Sequence, residues 1–117
     1  MNLRQSNSFQ IARAGWVGDY ADPINYLETF VSGSPMNDGR YNSKEYDDLI
    51  MKSYSIENPE ERNAVLQRAE EILVKDEQVI IPIYYYSSTN MIDLDKWEGW
   101  YTNVCDIHPY VGLKPKN

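Results

Sequence analysis

The run Val79-Ile80-Ile81-Pro82-Ile83-Tyr84-Tyr85-Tyr86 constrains the fold more than any other stretch of the chain. It is apolar without alternation and rich in β-branched and aromatic residues, which reads as a strand buried on both faces. Pro82 has no N–H to give to a ladder, so pairing is interrupted there. A bend, or a crossing between two packed regions, is expected at that point. After Ser87 the pattern weakens. Met91, Ile92, Leu94, Trp97, Trp100, Tyr101, Val104 and Ile107 are scattered among Asp, Lys and Gly. This tail has aromatic bulk but no periodic face, as in a segment that packs on something outside the chain.

A second strand is expected from about Ser8 to Ala14, where Phe9, Ile11 and Arg13 alternate with Gln10, Ala12 and Ala14. Gly15 and Gly18 then let the backbone leave a sheet and approach another group closely. Asp22-Pro23 restarts the chain as a helix, Asp22 as the cap and Pro23 at the first helical position. Between strand and helix lie Arg13, Trp16, Asp19 and Tyr20. Residue types alone favour a connector, its aromatics filling the edge of the core and its charges solvated. A Trp and an Asp just past a strand end also fit a ligand site, because open α/β sheets bind ligands beyond the carboxyl ends of their strands.

The rest of the chain up to the apolar run is helical. Ile24, Leu27 and Phe30/Val31 recur at helical spacing from Pro23 to about Ser32, where Ser32-Gly33-Ser34-Pro35 stops them. Asn37-Asp38-Gly39 is a turn signal. Asn42 or Ser43 caps a second helix running to about Ile56, with Tyr46, Leu49, Ile50 and Ser53 on its inner face. Asn58-Pro59-Glu60-Glu61 is the strongest local signal, an Asn cap, a Pro at the first helical position and a Glu placed to reach back. The third helix continues to about Lys75 on a core stripe of Val65, Leu66, Ala69, Ile72 and Leu73.

Composition removes several functions. A net charge of −7 argues against nucleic acid and against an anionic membrane surface. Cys105 is the single cysteine, so neither an internal disulfide nor a cysteine metal cluster is available. The single histidine, His108, precedes Pro109 in a loop-like tail and is read as solvated. No run reaches transmembrane length, and residues 1–8 are polar, frayed and without the apolar core of an export signal. Asp19 and Asp22 invite comparison with paired carboxylates, but Asp22 is accounted for as a cap and Asp19 is left without a partner. With no Ser-His-Asp set, phosphate loop or metal spacing, no catalytic residue, metal or cofactor is expected, and binding remains. Ten tyrosines and three tryptophans fit that reading, being side chains that are apolar and hydrogen-bonding at once.

The motif order then carries a resemblance. Ala12-Arg13-Ala14-Gly15-Trp16-Val17-Gly18-Asp19-Tyr20-Ala21-Asp22-Pro23 is followed by Arg40-Tyr41-Asn42-Ser43 and by Tyr46-Asp47-Asp48-Leu49-Ile50. Arg68-Ala69-Glu70-Glu71-Ile72-Leu73 and Ile81-Pro82-Ile83-Tyr84-Tyr85-Tyr86 complete the set. This series resembles the C-terminal end of the oligopeptide- and dipeptide-binding proteins of bacterial ABC transporters (extracellular solute-binding protein family 5). The resemblance implies an α/β fold, part of the second lobe of a type II periplasmic-binding-protein-like fold, with a mixed sheet flanked by helices. Residues 1–86 would belong to that lobe, and 87–117 would be a crossover tail packing on a first lobe absent from this chain. Asp19 matches the aspartate that accepts a peptide's α-ammonium, and Val17 the position whose backbone pairs with the ligand. Trp16 and Tyr86 match pocket-wall aromatics, and Arg13 an arginine that meets the carboxylate of a short ligand. The implied parent is a periplasmic or cell-surface lipoprotein that hands peptides to a membrane permease. Relatives that take nickel chelates, haem or oligosaccharides, a small hydrolase using Asp19, and a stand-alone interaction module using the aromatic tail are the alternatives. Self-association through that tail is also expected.

Overall fold

The computed structural model describes residues 4, 6, 8–103 and 105–116. Most of residues 1–8 and Val104 therefore lie outside the described residues, and with them most of the expected frayed terminus and one apolar position of the tail. Three helices carry the core, α1 (Ile24–Leu27), α2 (Lys44–Ser53) and α3 (Pro59–Glu71). A 3-10 turn over Glu28–Phe30 extends α1, and a wider π turn over Ile72–Asp76 extends α3.

Local chemistry sets each start. Asp22 Oδ1 accepts the Ile24 N–H at 2.9 Å, so the aspartate does cap α1. The Ser43 hydroxyl accepts the Tyr46 N–H ahead of α2. Asn58 Oδ1 accepts two N–H groups, of Glu60 at 2.9 Å and Glu61 at 3.1 Å, with Pro59 opening α3. The second helix stops at Ser53, short of Ile56, as the 3-10-type bond from the Tyr54 N–H to the Met51 carbonyl tightens its last turn.

Ile24, Leu27, Tyr46, Ile50, Leu66, Ala69, Ile72 and Leu73 form the core where α1, α2 and α3 meet. Full burial contributes about 1.5–3 kcal/mol for each of the larger aliphatic side chains. Tyr46 is fully buried because its hydroxyl has a partner, the Leu27 carbonyl at 2.7 Å. Asn37, also buried, staples the connection between α1 and α2. Its amide donates to the Tyr41 carbonyl at 2.7 Å, and its Oδ1 accepts the Tyr41 N–H at 2.9 Å.

The expected sheet does not form. Among the described residues the ladder is a two-residue antiparallel pair in the tail, β1 (Trp97–Glu98) against β2 (Lys114–Pro115), with Trp97 opposite Pro115. Residues 8–14 and 79–86 form no ladder among the described residues, and the two segments meet through side chains, Arg13 against Tyr84 and Tyr86, with Gly15 beside Tyr86. Gln78, at φ 51°, turns the chain out of the helical unit. Val79 and Ile80 still pack on the core, and the Ile80 N–H reaches the Leu73 carbonyl at 3.3 Å. From Ile81 onward the run is exposed on both faces rather than buried on both.

Among the described residues the tail folds partly on itself and contributes nothing to the core. Trp100 stacks on His108 with ring centroids 3.9 Å apart, and His108 Nε2 meets Asp106 Oδ1 at 2.7 Å. His108 is thus packed and paired, with 11% of its side chain exposed, where a solvated loop histidine was expected. The overall dimensions follow from these free segments. The radius of gyration is 18.6 Å, against about 13 Å for a compact domain of this length. The accessible surface is 9431 Å², roughly 2,800 Å² more than the scaling for a compact 13.7 kDa monomer.

Candidate functional site

The loop from Gly15 to Asp22 is fastened from below by one residue that sequence reasoning missed. Asn25, on α1, is 3% exposed. Its Oδ1 accepts the Trp16 indole N–H at 3.0 Å and the Asp19 backbone N–H at 3.1 Å. One buried acceptor therefore sets the position of the loop's large aromatic and of its carboxylate. Gly18 is buried against Tyr26, whose hydroxyl lies 2.6 Å from where a Cβ would sit, so a side chain there would push the ring aside. Farther along, Glu28 receives the Tyr20 hydroxyl at 3.1 Å and the Tyr54 hydroxyl at 3.0 Å.

Asp22 does more than cap. Arg62, from the first turn and a half of α3, donates to both its oxygens at 2.9 and 3.0 Å. That fork, with the Ile24 N–H, holds the Asp22 carboxyl below the usual range against an opposing push from burial. The loop is thereby tied to α1 by Asn25 and to α3 by Arg62.

Asp19 itself is exposed, and among the described residues its carboxylate has no hydrogen-bond or ion-pair partner. Val17 is exposed too, and its N–H and C=O take part in no backbone hydrogen bond among the described residues. Both features leave the groups available to an added chain.

Arg13 reaches across to the apolar run. Its Nη2 donates to the Tyr84 hydroxyl at 2.9 Å and the Tyr86 hydroxyl at 2.7 Å. The two tyrosine rings meet edge to face at 4.9 Å. Bonding to Tyr84, above all, pushes the guanidinium's pKa up. The Tyr86 hydroxyl and then Arg13 hold the Tyr84 phenol below its ordinary value, and Tyr84 in turn pushes Tyr86 up. Among the described residues no carboxylate neutralises Arg13, and its Nε and Nη1 make no hydrogen bond.

These elements border an open groove of about 310 Å³ lined by Arg4, Arg13, Ala14, Gly15, Trp16, Val17 and Tyr86. Four of the five site residues expected from sequence (Arg13, Trp16, Val17 and Tyr86) thus share one surface. Asp19 lies outside that lining, on the same Asn25-fastened loop. A larger depression over α2 is lined by Lys44, Glu45, Asp48, Leu49 and Lys52, with Lys44 paired to Asp48 along the helix.

No family model matches the chain. The periplasmic oligopeptide-binding protein OppA of Escherichia coli is 34% identical over 102 residues, 87% of this chain and 18% of that protein. The dipeptide-binding protein DppE of Bacillus subtilis is 37% identical over 83 residues, 71% of this chain and 15% of that protein. Among solved structures, a periplasmic oligopeptide-binding protein of Borrelia burgdorferi, OppAIV, matches with a TM-score of 0.75 at 30% identity. That match covers 97% of this chain and 23% of the solved one. The chain thus spans less than a fifth of the length of the curated relatives it matches, all named as binding proteins rather than enzymes. In sequence and in fold, this chain belongs to the family of bacterial oligopeptide- and dipeptide-binding proteins.

Proposed function

We propose that this chain supplies one wall of a peptide-binding cleft, in a non-enzymatic periplasmic binding protein that passes peptides to an ABC permease. On this reading residues 1–86 belong to the second lobe of a two-lobed fold, and 87–117 cross to the first lobe. The observation that carries it is the loop itself: an unpaired Asp19 carboxylate and the free main chain of Val17, held at fixed spacing by Asn25, beside a groove walled by Trp16, Tyr86 and Arg13. Asp19 receives the peptide's α-ammonium. Val17 pairs with its backbone as an added strand, which is indifferent to side chains and so tolerates many sequences. Arg13, steadied by two hydroxyls, offers its remaining donors to the carboxylate of a short peptide.

With only one wall, affinity is weak, so the test is a titration read by nuclear magnetic resonance. Tri- to pentapeptides are expected to shift the Trp16 indole and the Val17 and Asp19 amides at millimolar concentration. The N-acetylated forms of the same peptides, and the Asp19→Asn variant, are expected to lose most of that response. Equal responses to free and acetylated peptides would overturn the assignment of Asp19, and shifts confined to the tail would overturn the assignment of the groove.

A further inference from the structure

The lining of the groove includes Tyr86 but not Tyr84, although both hydroxyls meet the same guanidinium. Tyr84 therefore acts on a ligand in the groove through Arg13. Both bonds fall on one nitrogen, Nη2, at 2.9 Å to Tyr84 and 2.7 Å to Tyr86. A terminal guanidinium nitrogen carries two N–H groups and Nε carries one. Each N–H of Nη2 is thus matched by one phenol oxygen. The edge-to-face contact of the two rings, with centroids 4.9 Å apart, keeps those oxygens side by side.

A guanidinium grips a carboxylate through two parallel N–H groups, from Nε and Nη2 or from Nη1 and Nη2. Nη2 belongs to both pairs. While it is spent on the tyrosines neither grip is open, and Nη1 and Nε each meet an acid oxygen singly. Arg4, the other cation in the lining, already donates from Nε to Asp38 at 2.8 Å.

We infer that Tyr84 is a positioning residue acting through Arg13: with Tyr86 it occupies Nη2, sets the plane of the guanidinium and withholds the two-point grip from a ligand carboxylate. This deepens the proposed peptide site and rests on Arg13 being the group that meets the peptide's carboxylate. A site built this way holds an acid by charge and by single contacts, and the Tyr84 hydroxyl sets that limit.

Tyr84→Phe removes the hydroxyl and keeps the ring. Tyr84 is 57% exposed and lies outside the core, so the helices persist, which circular dichroism checks. Two measurements on the whole chain test the inference. In nitrogen-15 magnetic resonance spectra of the Arg13 side chain, the wild type is expected to show distinct Nη1 and Nη2 signals, because the phenols hinder rotation about the Cζ–N bonds. In Tyr84→Phe those signals are expected to merge. In peptide titrations, the preference for trialanine over trialanine amide is expected to rise roughly threefold in Tyr84→Phe, since one two-point grip opens. Arg13→Gln is expected to bring that preference close to unity. A Tyr84 that is merely structural weakens acid and amide alike, so an unchanged preference in Tyr84→Phe overturns the inference. Averaged Nη signals in the wild type overturn it too, and leave the carboxylate reading of Arg13 standing if Arg13→Gln still abolishes the preference. Distinct Nη signals with a preference that survives Arg13→Gln overturn that reading, and the inference with it.

Discussion

Replacing Asn25 by Leu is the sharpest probe of the site, because it keeps the size of the side chain and removes its acceptor. Two donors lose their partner, the Trp16 indole N–H and the Asp19 amide. A net hydrogen bond is worth about 0.5–1.5 kcal/mol, and leaving a buried donor unmet costs more. Trp16 is 38% exposed, so water replaces part of what its indole loses and that bond counts at the low end. The total comes to about 1–2 kcal/mol, which lowers the melting temperature of a unit this size by about 4–16 °C. Thermal unfolding followed by circular dichroism measures the loss. Hydrogen exchange measures its location: the Asp19 amide is expected to lose protection while Leu66 and Ile72 keep theirs below the melting range. An Asn25→Leu variant with an unchanged Asp19 exchange rate and an unchanged Trp16 emission spectrum would refute the clamp.

Two titrations complement that experiment. Arg62 and the Ile24 N–H depress the Asp22 carboxyl in the folded chain, so the stability it contributes is present above the unfolded carboxyl range and is lost as pH falls through the lower folded value. Asp22→Asn keeps a cap but not the charge, so it is expected to cost about 1 kcal/mol at neutral pH and to flatten the acid limb of stability against pH. Burial pushes the Tyr46 phenol far up, so stability is whole below the ordinary tyrosine range and falls as pH rises through it, because the unfolded chain ionises first. Tyr46→Phe is expected to lose about 1 kcal/mol at neutral pH with the Leu27 hydrogen bond, and to make the alkaline limb shallower.

The sequence disclosed what short-range chemistry decides. Asn58-Pro59, Ser43 and Asp22 cap where their residue types say they should, and of the third helix's stripe Leu66, Ala69, Ile72 and Leu73 are core while Val65 is half-buried outside it. Contacts between distant residues were hidden. Nothing local marks Asn25 as an acceptor for Trp16 and Asp19, since an Asn at the second position of a helix is as easily a solvated polar residue. Arg62 reaches Asp22 across forty positions and His108 finds Trp100 across a loop. The apolar run was read as a strand buried on both faces, and in the structure it is unpaired and exposed from Ile81 onward. Its composition states what the segment wants and not what surrounds it, and within this chain cover stops at Ile80.

The same distinction decides how much the site is worth. An exposed ion pair contributes about 0.2–1 kcal/mol, because water competes for both partners. A charge-assisted hydrogen bond in a dry cleft contributes about 1.5–3 kcal/mol. Asp19 stands in the first situation here, so a peptide ammonium gains a few-fold preference from it at most. What this chain does contribute is spacing. Asn25 fixes Trp16 and Asp19, Arg62 ties Asp22 to α3, and Glu28 gathers Tyr20 and Tyr54, so the loop needs little further ordering to receive a ligand. On the proposed reading, a second wall closes over this loop. It removes water from a pair whose geometry is already set, and that desolvation supplies the affinity which the open groove lacks.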